Sequence, residues 1–163
     1  MSAARAWIAL GSNLGDRRAN LEGAVEALRA ADEVEVLRVS PWLETDPVGG
    51  PPGQGRYLNG CLELATTLDA PTLLWLLARV ESQFGRAREV PQGPRTLDLD
   101  LLLYDGLELA TPELELPHPR MEERLFVLEP LLALAPELRL PRSGRTVRER
   151  VAELRARAGG AAP

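Results

Sequence analysis

Glycine and proline interrupt the chain so densely between residues 46 and 55 that neither a helix nor a strand can continue through this segment. Seven of the ten residues in Asp46-Pro-Val-Gly-Gly-Pro-Pro-Gly-Gln-Gly55 are Gly or Pro. Proline removes a backbone donor, and glycine weakens helices and strands through its conformational freedom. We therefore expect a loop here, and long loops in compact domains are commonly functional.

Hydrophobic periodicity on both sides of this loop predicts strands and helices. The predicted strands cover residues 6–10, 34–39, 58–68 and 97–104. The predicted helices begin after Asp16 as an N-cap, at Pro71, at Met121, and at Val147 after a capping box of Thr146 and Glu149. The last two are expected to cover residues 121–134 and 147–158.

The first six elements follow the order strand, helix, strand, strand, helix, strand. This order is typical of the ferredoxin-like split β-α-β pattern, so we expect an α+β fold with helices on one face of an antiparallel sheet. The second face would then be free for a site, and additional strands and helices would follow. Because no repeat or linker divides the chain, residues 1–163 are expected to form a single domain with residues 159–163 as a frayed tail.

The positively charged residues restrict the chemistry of any phosphate site. The chain contains 19 arginines and no lysine. This composition excludes a Walker-type phosphate loop and Schiff-base chemistry, both of which need lysine. A bound phosphate would have to be held by arginine, backbone amides or a metal ion.

Charge, hydropathy and cysteine content also limit the partners and the compartment. The net charge of −5 argues against a general nucleic-acid-binding surface. No apolar run is long enough to span a membrane, and no secretory segment is recognisable at the N-terminus. The single cysteine, Cys61, cannot form an internal disulfide. We therefore expect a cytoplasmic protein that binds neither nucleic acid nor membranes.

Two aspartates lie two residues apart in the predicted strand Thr96-Leu-Asp-Leu-Asp-Leu-Leu-Leu103. Residues two apart on a strand face the same side, so Asp98 and Asp100 should project together while leucines 97, 99, 101 and 103 face the core. Two neighbouring carboxylates can share hard cations, as phosphoryl chemistry with two metal ions requires. The alternative is a solvated acidic strand face.

A segment rich in arginine precedes this strand. Arg86, Arg88 and Arg95 lie within ten residues, and only Glu89 opposes their charge. Alone, this segment could be an ordinary charged loop. Beside the paired aspartates it favours a polyphosphate site, in which metal ions contact the phosphate oxygens and guanidinium groups surround them.

A few other side chains could contribute to a site. His118, the only histidine, lies between two prolines, and a nucleophilic pair with Cys61 is a weak alternative to a structural role. Tyr57 and Phe126 could be core residues. However, Asn59 shares the strand parity of Tyr57, so a planar ligand could stack on one and hydrogen-bond to the other.

These motifs occur in the order found in the 6-hydroxymethyl-7,8-dihydropterin pyrophosphokinase family of folate biosynthesis, which the chain resembles from about residue 6 to 150. The most specific motif is Gly93-Pro-Arg-Thr-Leu-Asp-Leu-Asp100. The other motifs are Ala9-Leu-Gly-Ser-Asn-Leu14, the loop around residues 45–49, Tyr57-Leu-Asn59, Leu116-Pro-His118 and Arg124-Leu-Phe126.

The resemblance implies transfer of the β,γ-diphosphoryl group of ATP to the hydroxymethyl oxygen of the pterin, with release of AMP. It implies that Asp98 and Asp100 are catalytic and bind two Mg²⁺ ions, and that Arg86 and Arg95 are catalytic. The residues implied to bind ATP are Glu81, Arg88, Leu101, His118 and Arg124. The residues implied to bind the pterin are Thr45, Val48, Tyr57, Asn59 and Phe126.

Two other functions are compatible with these residues. A nucleotidyl transferase or cyclase could use the same paired aspartates on a ferredoxin-like sheet, and it would release diphosphate rather than AMP. A small regulatory module of the same fold would bind a ligand without turnover. We expect a monomer, with an oligomer as the open alternative.

Overall fold

A five-stranded antiparallel sheet forms the centre of the fold. The structure is a computed structural model that describes residues 3–46, 53, 55–85 and 96–160. Its strands are β1 (Ala4–Ser12), β2 (Val34–Val39), β3 (Leu43–Thr45), β4 (Tyr57–Thr66) and β5 (Asp98–Tyr104). A separate hairpin consists of β6 (Leu109–Ala110) and β7 (Glu115–Leu116). The helices are α1 (Arg17–Arg29), α2 (Ala70–Gln83), α3 (Leu125–Leu134) and α4 (Val147–Gly160), and Met121–Glu123 forms a 3₁₀ turn.

The order of strands in the sheet is β2-β4-β1-β5, and β3 pairs with the first residues of β4. All these pairings are antiparallel. The predicted α+β class is confirmed, and this order is compatible with the ferredoxin-like pattern. The short strands β3, β6 and β7 were not predicted, because two or three residues are too few to show alternation.

Short polar side chains begin the helices, as the sequence predicts. The Asp16 carboxylate accepts the Ala19 amide at 3.1 Å, which confirms it as the N-cap of α1. At the start of α4, the Thr146 amide donates to the Glu149 carboxylate at 2.9 Å, and the Glu149 amide donates to the Thr146 hydroxyl at 3.1 Å. This reciprocal pair is the expected capping box.

The first hydrophobic core lies between one face of the sheet and helices α1 and α2. Strand residues Ile8, Leu62 and Leu99 are buried there. The helices contribute the apolar stripes that their periodicity predicts, with Leu21 on α1 and Leu73 on α2.

Helices α1 and α2 lie on one face of the sheet as expected, and the additional helices α3 and α4 cover the second face, which was expected to be free. Trp7, Cys61 and Leu102 are buried against residues of α3 and α4, such as Leu128 and Val151. The physical reason lies in β1, where apolar Trp7 follows Ala6 and precedes Ile8. A strand that is apolar on both faces needs a packing partner on each side.

Strand β5 contains a β-bulge at Leu102, which corrects the predicted orientation of Leu103. Trp7 pairs with Leu103, whereas the next residue, Ile8, pairs with Leu101. The extra residue reverses the parity of the strand. Leu103 therefore lies in the second core, while leucines 97, 99 and 101 lie in the first as predicted.

The helix predicted over residues 121–134 is interrupted at Arg124. The 3₁₀ turn ends there, Arg124 has an extended backbone with φ −118° and ψ 106°, and α3 begins at Leu125. Helix α4 continues two residues beyond the predicted end, to Gly160, and residues 161–163 lie outside the described part. Among the described residues, no helix has the length and apolar character that a membrane span requires.

Candidate functional site

The described residues of the sheet that were predicted for the site lie at one end of its second face. Gly11 of β1 pairs with Asn59 of β4 on one side and with Asp98 of β5 on the other. These three residues form a row across the sheet. We call the Asn59 end of this row, with Thr45 and Tyr57, the amide side, and the end formed by Asp98 and Asp100 the carboxylate side.

On the amide side, the side chain of Asn59 is held in place by its neighbours. Its Nδ2 donates a hydrogen bond to the Thr45 hydroxyl, and the residue is almost fully buried. Thr45 pairs with Tyr57 across β3 and β4, so the three side chains lie close together. An ordered amide next to an aromatic ring can bind the edge and the face of a flat heterocycle.

Gly11 provides the space that this arrangement needs. A Cβ atom at position 11 would lie 2.9 Å from Oδ1 of Asn59 and 3.5 Å from the Tyr57 ring. We expected the first strand to end at Leu10, and Gly11 was therefore missed as a site residue. A glycine inside a strand often marks a close approach, and this signal could have identified it.

The carboxylate side is formed by the beginning of β5. Asp98 and Asp100 are half-buried on the face opposite to Leu99, which lies in the first core. Between them, the Leu99 amide donates to the buried carboxylate of Glu81 on α2 at 2.8 Å. Glu81 therefore fastens the part of β5 that bears both aspartates.

These two carboxylates fit part of a metal site for a hard cation. Oxygen donors of aspartate are the ligands that Mg²⁺ prefers, usually together with water and phosphate oxygens. Within the described part of the chain, no group of three or more His, Cys, Asp or Glu side chains could hold a metal ion by itself. Asp98 and Asp100 could hold such a cation together with water and with oxygens of a ligand.

His118 lies near the carboxylate side, anchored to the bulge of β5. Its amide donates to the Leu102 carbonyl at 2.9 Å, and its Nδ1 accepts the Arg120 amide at 3.2 Å. Burial lowers the pKa of His118, the charges of Arg124 and Arg120 lower it further, and Asp98 acts in the opposite direction. The lowered pKa favours the neutral ring, in which Nε2 carries the proton when Nδ1 accepts.

Arg124 and Phe126 belong to the same part of the molecule. The Arg124 guanidinium lies 5.4 Å from the centre of the Phe126 ring, within cation–π range. The charges of Asp98 and Arg124 both act on the pKa of His118, so these three predicted residues share one electrostatic environment.

Several predicted site residues are placed elsewhere or are not described. The side chain of Leu101 is buried in the first core, so an interaction with a nucleotide at the aspartates would involve its backbone. Val48, Arg86, Arg88 and Arg95 lie outside the described residues. Their roles remain predictions.

The alternative of a nucleophilic pair between Cys61 and His118 does not fit the structure. Cys61 is fully buried in the second core, and burial raises the pKa of its thiol to about 12. A thiol with such a pKa is almost entirely protonated at neutral pH, and the thiolate is the nucleophilic form. Cys61 is therefore a core residue.

Comparisons with known proteins identify the family of the chain. The family model described as 7,8-dihydro-6-hydroxymethylpterin-pyrophosphokinase (HPPK) matches residues 7–136. The chain is 44% identical to the 2-amino-4-hydroxy-6-hydroxymethyldihydropteridine pyrophosphokinase of Synechocystis over 142 residues, which cover 87% of this chain and 72% of that protein. It is 47% identical to the protein of the same name from Bacillus subtilis over 133 residues, with coverages of 82% and 79%.

Solved structures share the fold. A crystal structure of wild-type HPPK-DHPS from Plasmodium falciparum with pteroate matches 98% of this chain with a TM-score of 0.78 at 13% sequence identity. The chain spans only 44% of that longer chain, so this likeness concerns the fold of the matching part. By the family model and by its identity with the two bacterial relatives, the chain belongs to the 7,8-dihydro-6-hydroxymethylpterin-pyrophosphokinase family.

Proposed function

We propose that this protein transfers the diphosphoryl group of ATP to the hydroxymethyl oxygen of 6-hydroxymethyl-7,8-dihydropterin, which yields the pterin diphosphate and AMP in folate biosynthesis. The observation that carries this proposal is the row Asn59, Gly11 and Asp98, which brings an ordered amide and a carboxylate pair to the same end of the sheet. Family membership and the names of the bacterial relatives support it.

The pterin would bind on the amide side. Its flat ring would stack between Tyr57 and Phe126, since aromatic faces provide apolar contact in a fixed geometry. The amide of Asn59 and the hydroxyl of Thr45 would bind the polar edge of the ring, and Val48 would complete this pocket.

The polyphosphate of ATP would bind on the carboxylate side. Asp98 and Asp100 would hold two Mg²⁺ ions, which neutralise charge on the phosphate oxygens and make the hydroxymethyl group more acidic. Arg86 and Arg95 would contact the transferred phosphates with donors that suit phosphate oxygens. The remaining residues proposed to bind ATP are Glu81, Arg88, Leu101, His118 and Arg124.

Catalysis in this arrangement would consist of positioning and charge stabilisation. The hydroxymethyl oxygen forms a bond to the β-phosphorus while the bond from this phosphorus to the oxygen that bridges it to the α-phosphate breaks. AMP leaves with that bridging oxygen, and the hydroxyl proton is released. Neutral His118 can donate from Nε2 to a phosphate oxygen, and Arg124 beside it contributes a permanent positive charge.

The products of a single incubation test this proposal. With ATP, Mg²⁺ and the hydroxymethyl dihydropterin, phosphorus NMR should show AMP and a pterin diphosphate in equal amounts, and neither should form without the pterin. Release of free diphosphate would instead indicate a nucleotidyl transferase or a cyclase. Binding of ATP without any turnover would indicate a ligand-binding module.

Removal of an aromatic ring should weaken pterin binding selectively. Replacement of Tyr57 or Phe126 by alanine is expected to cost about 1–3 kcal/mol of pterin affinity, the range for loss of a stacking partner. The affinity of Tyr57→Ala for an unreactive ATP analogue should stay within about twofold of the wild-type value, which is a change in binding free energy below about 0.5 kcal/mol. Isothermal titration with each ligand checks this, and an equal loss for both ligands would mean that Tyr57 is a core residue.

A methyl group at Gly11 should disturb the same pocket. Gly11→Ala is expected to raise the pterin Kd about tenfold, because the new Cβ would displace Asn59 from the Thr45 hydroxyl. Gly106→Ala is the matched control, since a Cβ there has no atom within 4 Å. Unchanged pterin affinity in Gly11→Ala would argue against the proposed role of Asn59.

We further propose that the whole chain acts as one pyrophosphokinase domain, as a monomer in the cytoplasm, without nucleic-acid or membrane partners. The net charge of −5 supports the absence of a general nucleic-acid-binding surface. Sedimentation of the protein at micromolar concentration tests the monomer, which a larger mass would contradict.

A further inference from the structure

The 3₁₀ turn Met121–Glu123 connects His118 to Arg124, and a buried arginine from the last helix fastens it. Arg150 on α4 donates from Nε to the Glu122 carbonyl at 2.7 Å and from Nη2 to the Glu123 carboxylate at 2.9 Å. Only 9% of the Arg150 side chain is exposed. A guanidinium group stays charged when buried, so its loss of hydration must be offset by such partners.

The turn is held from a second direction through the side chain of Glu122. Its buried carboxylate accepts the backbone amides of Arg142 at 2.9 Å and of Ser143 at 3.2 Å. The same residue thus receives hydrogen bonds at its carbonyl and at its carboxylate. We call the set of Glu122, Glu123, Arg142, Ser143 and Arg150 the clamp.

The clamp matters because Arg124 joins the turn to α3. Arg124 is the N-cap of α3, has an extended backbone and makes no side-chain capping hydrogen bond. Its amide donates to the Met121 carbonyl in the turn at 3.4 Å, and its carbonyl accepts the amides of Val127 and Leu128 in α3 at 3.0 Å. A displacement of the turn would therefore be passed to Arg124 and to the first residues of α3, which include Phe126. Arg150, Arg142 and Ser143 all lie beyond residue 136, where the match to the family model ends.

We infer that Arg150 is a positioning residue, through which α4 sets the places of Arg124 and Phe126 and thereby the affinity for ATP and for the pterin. The identity of these two ligands rests on the proposed function. If Arg150 only stabilised the fold, its loss would lower the melting temperature and leave the affinities of the folded protein unchanged.

Four single variants separate these two roles. Arg150→Met removes the hydrogen-bond donors and keeps an unbranched side chain. Arg150→Lys keeps the positive charge but lacks the planar guanidinium group that donates to several acceptors at once. Val151→Ala destabilises the same helix through the second core, where Val151 is buried. Arg155→Met removes an exposed ion pair from α4 to Glu129 on α3 at 2.8 Å, away from the turn.

The measurements are the melting temperature, the Kd for an unreactive ATP analogue with Mg²⁺, the Kd for the pterin, and amide exchange of residues 118–126. Arg150→Met should raise both Kd values about tenfold and speed exchange in this segment, because small displacements of binding groups are costly. Arg150→Lys should recover part of the loss. Val151→Ala should melt earlier with unchanged affinities, and Arg155→Met should change neither.

A double variant tests the route of the effect. If Arg150 acts through Arg124, then Arg150→Met should weaken binding of the ATP analogue far less in an Arg124→Ala background than in the wild type. Additive losses would contradict this route. If Arg150→Met does not fold, Glu123→Gln replaces it, since this change weakens an exposed partner while Arg150 keeps the Glu153 carboxylate at 3.5 Å as a charged partner.

The outcomes distinguish this inference from the proposed function. Wild-type affinities and wild-type exchange in Arg150→Met would overturn the inference, even if the protein melts earlier. Failure of the wild-type protein to bind the ATP analogue would overturn the proposed function. Amide exchange of residues 118–126, which needs no ligand, would then decide whether Arg150 holds the turn.

Discussion

Replacement of Asp98 or Asp100 by alanine is expected to lower kcat/KM by about 100-fold to 1000-fold, the usual cost of removing a group that stabilises charge in the transition state. Both side chains project from the second face at the start of β5, opposite to the buried Leu99. The fold should persist, because Leu99 and its neighbours hold the strand. The rate of AMP formation at saturating Mg²⁺ measures the effect.

The control for this experiment is an acidic residue outside the site. Asp32 is exposed in the turn before β2, and Asp32→Ala should keep wild-type turnover. Near-normal activity of either site variant at saturating Mg²⁺ would contradict the proposed role of the pair. Melting below the assay temperature would contradict the claim that these carboxylates are dispensable for folding.

Trp7→Ala should cause the largest loss of stability, about 3–5 kcal/mol of the free energy of unfolding. The indole is buried in the second core and packs under the guanidinium of Arg38, which lies 5.4 Å from the ring centre. Its removal leaves a cavity between the sheet and helices α3 and α4. Denaturation with urea, with the midpoint and slope compared to wild type, checks the value.

Trp75 provides a matched control for the same substitution. It lies on α2 with 62% of its surface exposed. Its ring forms a cation–π pair with Arg79, whose guanidinium lies 5.0 Å from the ring centre. Trp75→Ala should change the free energy of unfolding by less than about 1 kcal/mol. A small loss in Trp7→Ala would mean that the second face does not depend on a packed core.

The long elements could be predicted from the sequence because their patterns repeat several times. Four apolar positions of α1 recur at helical spacing, and Asp16 and Thr146 are residue types that cap helices for a local reason. Such local signals act within a few residues and need no knowledge of distant contacts.

The features that were missed depend on contacts between distant parts of the chain. The bulge lies at Leu102, in the middle of a run of three leucines. Because all three residues are equally apolar, the sequence does not show which of them face which side of the sheet. The cover on the second face follows from Trp7, but only packing shows that α3 and α4 supply it. The break at Arg124 lies in a segment whose composition favours a helix, and the clamp holds it in another conformation.

The candidate site was predicted more fully by family resemblance than by spacing. Strand alternation places Asp98 and Asp100 on one face, and the structure agrees. Alternation does not show that Gly11 lies between Asn59 and Asp98, because strand pairing joins residues that are far apart in the chain. Nor could any pattern in α4 connect Arg150 to the turn before Arg124.

The bulge in β5 also determines how this strand could tolerate a change in length. Deletion of one residue from a regular strand inverts every side chain beyond it. Deletion of Leu102 would instead leave Leu101 opposite Ile8 and Leu103 opposite Trp7, as they are now. The strand itself therefore does not need the extra residue. The deletion would remove the Leu102 side chain from the second core and the Leu102 carbonyl that accepts the His118 amide, so the extra residue serves the packing of the second face and the place of His118 rather than the strand pairing.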